Sequence, residues 1–228
     1  MADDLLRELA VAQQAEERAF DRTYAEFPRP AAAERDLREP HHRVVVSRRQ
    51  LAKQRGVEQV AVKAVILVEG ESDRMVLETL AARRGRDLAA EGVAVVPLGG
   101  AHALERALGT LEAERVAGLY DRGEEAAVRR ALERAGISPD HFYACDPDLE
   151  GELVRALGAE RMLQLVEERG QLNAFRTYQR QPDKRLLPLE AQLHGWLHNW
   201  KVRYAAALVG VLDLDHVPAP LEAVLAHV

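Results

Sequence analysis

The sequence predicts an α/β fold: a parallel sheet of about four strands flanked by helices, with a helical C-terminal extension and a helical N-terminal arm. Three observations carry this. Four short apolar runs, at residues 62–68, 93–98, 116–120 and 142–145, are spaced through the middle of the chain. Helical patterns separate them, over about 72–84, from Gly100 to about 111, and over 124–135, which is the alternation of β-α-β units. The runs are not alternating, as expected of strands covered on both faces.

Taken in order, residues 3–26 read as a helix capped by Asp3 or Asp4, with Leu5, Leu6 and Leu9 on one side and mostly polar later turns. Pro28 and Pro30 end it, and residues 28–42 read as a linker. Val44, Val45 and Val46 suit a short strand or a buried crossing. Ser47 could then cap a basic helix stopped by Gly56. After the four apolar runs the pattern turns purely helical, over about 148–157, 159–168, 171–179, 188–198, 201–211 and 218–226. The expected organisation is an arm and linker at 1–60, the α/β domain at 61–147, and an extension at 148–228 that completes the site.

The 228 residues suffice for one α/β domain plus an appendage. Hydrophobic residues make up 47% and charged residues 30%, which favours a packed core over wholesale disorder. With one cysteine, Cys145, neither an internal disulfide nor a cysteine-based zinc site can form, and a reducing cytoplasm is the simplest setting. Neither a secretory signal nor a membrane span is readable. The formal charge of −6 argues against nucleic acid only until its distribution is considered. Residues 43–63 hold six Lys or Arg against Glu58, and residues 176–203 hold six against Asp183 and Glu190. These are either solvated surfaces or phosphate-contacting flanks.

The chemistry lies at the strand tips, because open α/β sheets place their sites at the carboxyl ends of the strands. Three acidic tips fall there: Glu69 with Asp73, Asp121 with Glu124 and Glu125, and Asp146 with Asp148 and Glu150. Gathered carboxylates repel one another, and a hard divalent cation relieves that repulsion. In Glu69-Gly70-Glu71-Ser72-Asp73, Gly70 is expected to allow a tight turn and the approach of a phosphate, and Asp73 to point back toward Glu69. An ordinary strand-to-helix turn capped by Ser72 is the plain alternative. His194 and His198 share a helix face but lack the glutamate of a zinc protease motif, and His41-His42 is weaker still. Trp196 and Trp200 read as core before base-stacking platforms. Cys145 reads as buried and inert.

Val-Glu-Gly-x-Ser-Asp at 68–73, a strand ending in Gly99-Gly100, and Leu119-Tyr120-Asp121 together resemble the Toprim fold of topoisomerases, bacterial primases and several nucleases. The text at 66–73 and 88–100 is similar to the OLD (overcoming lysogenization defect) branch. The segments 118–125, 148–153 and 175–182 look like a bacterial subgroup within it, so the likeness covers about residues 62–228. It implies a Rossmann-like Toprim sheet and Mg2+ or Mn2+ as cofactor. It further implies Glu69 as a metal-binding and acid–base residue, Asp73, Asp121 and Glu150 as further metal acids, and Lys201, in Lys-Val-Arg-Tyr-Ala, as a cation for the developing phosphorane charge. For Lys201 a plain surface lysine is the equal alternative.

Two departures stand out. Gly123 occupies the second acidic position of the Toprim Asp-x-Asp pair, leaving Glu124, Glu125 and Asp148 as candidates for a second metal site. OLD proteins usually join this domain to an ABC-type ATPase, yet no Gly-Lys-Ser/Thr phosphate loop occurs here, so the chain reads as stand-alone or as working with a separate ATPase partner. The expected function is a metal-dependent DNA endonuclease. Arg176, Arg180, Lys184, Arg185 and Arg203 would contact nucleic acid, and Gly70 would lie against the bound phosphate. The alternatives are a catalytically weakened module that binds nucleic acid or a partner and, less favoured, a nucleotidyl transferase. The N-terminal arm suits partner binding or a homodimer.

Overall fold

The computed structural model describes residues 62–99, 103–111 and 113–228. The expectations for the N-terminal helix, the linker, Val44–Val46, the Ser47 helix, His41-His42, Gly100 and most of the first basic flank lie outside the described residues. Four strands, β1 (Ala64–Val68), β2 (Val93–Pro97), β3 (Arg115–Asp121) and β4 (Phe142–Cys145), form one sheet in the order β2-β1-β3-β4. Every neighbouring pair is parallel. The chain goes from β1 to β2 on one side and then crosses to β3 on the other. The order therefore reverses between β1 and β3, and their carboxyl ends flank the crevice where such sheets bind ligands.

β1 explains the two-sided core. All five of its residues are buried. Ala64, Ile66 and Val68 face the larger hydrophobic cluster, while Val65 and Leu67 face the smaller one, as the two-residue period of a strand requires. Helices α2 (Leu104–Leu108) and α3 (Glu125–Ala135) supply the smaller cluster through Leu104, Leu108, Val128 and Leu132. Helices α1 (Glu71–Arg83), α4 (Leu149–Glu168), α5 (Leu172–Gln179), α6 (Leu189–His198), α7 (Lys201–Val211) and α8 (Ala219–His227) contribute to the larger one. From α1 alone, Val76, Leu77 and Leu80 are at most 1% exposed, and each such burial stabilises by about 1.5–3 kcal/mol.

The helices after β4 share the sheet's core. α1 packs along α7, α4 packs against α6 and α7, and α8 packs on β3 and β4. Arginines tie the layer together by completing helix ends. Arg83 donates to the carbonyls of Val209 and Leu212 at 2.5 and 2.6 Å, and Arg86 donates to those of Leu225 and Val228 at 2.5 and 3.0 Å. The two helices expected at 148–157 and 159–168 run together as α4, kinked at Gly158 (φ 73°, ψ 158°), a conformation that glycine almost alone adopts. The helix expected to reach about 111 stops at Leu108, because Gly109 follows and Thr110 turns its hydroxyl back onto the carbonyls of Arg106 and Ala107. No helix among the described residues is long and apolar enough to cross a membrane.

Candidate metal centre

The register places the first acids side by side. Leu67 of β1 pairs with Gly118 of β3, so Glu69 and Asp121 emerge from neighbouring strands at the reversal point. Gly118 allows this close packing: a Cβ there would come within 2.6 Å of the Phe142 ring and 3.0 Å of the Leu67 carbonyl. Asp121 has the Glu69 side chain as a hydrogen-bond partner. Burial, the Glu69 charge and that hydrogen bond, with Asp148 and Asp73 adding, push the Asp121 pKa up to about 8.

Asp73 sits in the first turn of α1 and accepts the Gly70 N–H at 2.7 Å, which satisfies one orphan donor of the helix. Burial raises its pKa to about 6 against that hydrogen bond, with Glu150 and Glu69 raising it further and Lys201 opposing them. The expected role of Gly70 needs correction. Its φ of −141° is extended backbone open to any residue, and its N–H is already committed to Asp73. A Cβ would meet Asp73 only at 3.6 Å. No strained turn requires glycine here, and the N–H is not available to a phosphate while Asp73 holds it.

The helices after β4 bring in the rest. Glu150 in α4 is 4% exposed, with the Lys201 ammonium 3.7 Å away at the start of α7. Burial, with Asp148 adding, raises the Glu150 pKa against the pull of Lys201. Burial also opposes the Lys201 charge, but Glu150, Asp73, Glu69 and Asp121 outweigh it and hold its pKa above the ordinary value. Glu69, Asp73, Asp121, Glu150 and Lys201 thus form one electrostatically coupled group.

The comparisons with known proteins bear on this arrangement. Residues 62–117 match the family model described as "Overcoming lysogenization defect protein-like, TOPRIM domain". That segment is therefore similar to the Toprim domain of OLD-like proteins. The C-terminal region of the Burkholderia pseudomallei OLD protein superposes with a TM-score of 0.55 at 21% identity, covering 73% of this chain and 96% of that one. The C-terminal region of the Xanthomonas campestris pv. campestris OLD protein gives 0.54 at 23% identity, covering 72% and 91%. At these identities the likeness establishes the Toprim fold. No curated protein matches the sequence.

Toprim domains as a class bind divalent metals, and the donor chemistry of this site fits that group. Oxygen donors are crowded at the strand carboxyl ends and partly desolvated, with the Lys201 ammonium among them. Among the described residues, however, no three His, Cys, Asp or Glu side chains already stand as a ready-made cage.

The second-site acids separate. Glu125 is held by Arg122 at 3.3 Å and Arg129 at 2.8 Å, which correct it to a surface ion pair. Glu124 shares a recess with Glu69, beside Leu98 and Tyr120. Asp148 is engaged on two sides: it caps α4 by accepting the Gly151 N–H at 2.8 Å, and His194 Nε2 lies 2.8 Å from both of its oxygens. Asp146 points to Arg122 at 3.8 Å. Gly123 borders open space on its Cβ side.

Of the expected nucleic-acid contacts, Arg176, Arg180 and Arg185 are exposed. Lys184 pairs with Asp183 at 2.9 Å, and Arg203 lies 5.0 Å over the Trp200 ring. Trp196 is core as expected, edge-on to Phe175 and Tyr178. Cys145 is buried, and burial pushes its thiol pKa far up, so it stays protonated. The pairing of His194 with Asp148 escaped the sequence reading. The partners are 46 residues apart; the sequence marked Asp148 as a strand-tip acid and His194 by its helical spacing from His198, but not that they meet.

Proposed function

We propose that this chain is a divalent-metal-dependent DNA endonuclease that hydrolyses or nicks phosphodiesters. The supporting observation is the coupled group of Glu69, Asp73, Asp121, Glu150 and Lys201 at the point where the strand order reverses. Mg2+ or Mn2+ bound there supplies Lewis acidity toward a phosphate oxygen and an activated water. Glu69 and Asp121 would hold the cation, and Asp73 and Glu150 would complete the negative field around it. Lys201, facing all four acids, offsets charge developing on the phosphorane. Arg176, Arg180, Lys184, Arg185 and Arg203 contact flanking phosphates, which makes binding salt-dependent. No tyrosine nucleophile is assigned, so hydrolysis is favoured over strand passage.

Gly123 favours a second reading, a weakened module that binds nucleic acid or a separate ATPase. Nucleotidyl transfer is a more distant alternative. The test is nicking of supercoiled plasmid in Mn2+ and in Mg2+. Glu69→Ala and Asp121→Ala should abolish it while the circular dichroism of the folded chain persists. Undiminished cleavage by both variants rejects the nuclease assignment. Absence of Mg2+ and Mn2+ binding by the native chain favours the weakened module.

A further inference from the structure

An open cleft lies between the end of α5, the loop after it, and α6. We propose that this cleft, lined by Tyr178, Gln181, Lys184, His194, His198 and Asn199, is a subsite for an unpaired nucleotide of the DNA strand whose reacting phosphate lies at the carboxylates. The proposal rests on the nuclease reading and names the substrate form: a single-stranded or locally opened strand.

The cleft starts one side chain away from the acids. His194 forms part of its wall and holds Asp148, whose charge reaches both Asp121 and Glu150. The two bonds to Asp148, itself fixed by the Gly151 N–H, set the His194 ring before any ligand arrives. Preorganised walls lower the entropy cost of binding. Gly195 shapes the wall beside it, because a side chain there would collide with the Tyr178 hydroxyl.

The lining chemistry suits a nucleotide. His194 and His198, four residues apart on one helix, offer flat imidazoles of the kind on which unpaired bases stack. Gln181 and Asn199 are exposed amides, each carrying a donor and an acceptor for base edges. Lys184 lies 5.7 Å over the Tyr178 ring and supplies a cation for a phosphate. Its ion-pair partner Asp183 is 67% exposed and readily resolvated when a phosphate competes. Arg203 over Trp200, the residue after Asn199, continues the aromatic and cationic character. A duplex presents phosphates outward and needs only a flat basic surface. A recess with imidazoles and amides matches a base that has left its stack.

The chain's two tryptophans provide a local probe. Trp196 is 5.6 Å from the Tyr178 ring, and Trp200 follows Asn199. In metal-free buffer, a thymidine homo-oligomer of about ten nucleotides is titrated against the full chain and tryptophan emission is followed. A blunt duplex of the same length serves as comparison. The expected result is quenching by the single strand with an affinity at least about fivefold above the duplex. The double variant Lys184→Ala/His198→Ala should weaken it by about tenfold or more, and Glu69→Ala should still be quenched.

Unchanged emission while the native chain nicks plasmid overturns the subsite and leaves the nuclease standing. Equal or tighter binding of the duplex, or native affinity in the double variant, also overturns the subsite. Quenching without any nicking supports the subsite as a binding site and instead removes the nuclease reading.

Discussion

At the residue scale, the strand-tip acids cost the fold stability that a bound cation would return. Asp73 and Asp121 have folded-state pKa values of about 6 and about 8, against 3.8 for the unconstrained carboxyl. Raised pKa values mean that the folded chain binds these protons more tightly than the unfolded one. Their contribution is fully present below about pH 4 and is lost as pH rises through about 6 and then about 8. The metal-free chain should therefore melt at progressively lower temperature from about pH 5 to about pH 9, while the stabilisation from added Mn2+ grows over the same range. Thermal unfolding with and without Mn2+ reads both trends. A metal-free melting temperature that rises across that window contradicts the carboxylate assignments. Gly118 is the second sensitive position. Gly118→Ala would drive a methyl into Phe142 and the Leu67 carbonyl, and a loss of about 2 kcal/mol in urea unfolding is expected.

At the element scale, α7 links stability to the site. Its first residue, Lys201, compensates the buried Glu150, and its last turn is completed by Arg83 from α1. Lys201→Ala leaves Glu150 desolvated and unpaired and should cost about 1–2 kcal/mol, with Glu150→Gln in the same chain recovering part of it. Urea unfolding of the single and double variants measures this coupling, and strictly additive losses would show that the pair does not interact. The elements were largely legible in the sequence. Strands of continuous apolar residues and helices bounded by Gly136 or Pro188 follow local rules, and β4 begins and ends where its apolar run does. The shortened α2 shows the limit, since an apolar pattern continues past the glycine that ends it.

At the scale of the whole molecule, the site joins pieces far apart in the chain. Glu69 and Asp121 could be placed together from strand order alone, because carboxyl ends at a reversal point converge. Glu150 was marked among the acids after the fourth strand, but Lys201 could not be placed that way. Spacing does not reveal that the α7 start lies over α4, and a family resemblance marked Lys201 first. The partners of Glu125, Asp148 and Gly70 were also hidden, since each depends on which neighbour reaches a polar group before a ligand does. Gly123 is the open corner of the arrangement. Nothing lies within 4 Å of a Cβ there, so Gly123→Asp should be accommodated and should tighten Mn2+ binding without loss of melting temperature.

The most direct measurement is calorimetric titration of Mn2+ into the native chain and the Asp121→Asn variant near neutral pH, repeated in buffers of different ionisation enthalpy. Binding by the native chain with release of about one proton, and its loss in the variant, is the predicted result. Native binding unaccompanied by proton release, or equal binding by Asp121→Asn, would contradict the placement of the cation between Glu69 and Asp121.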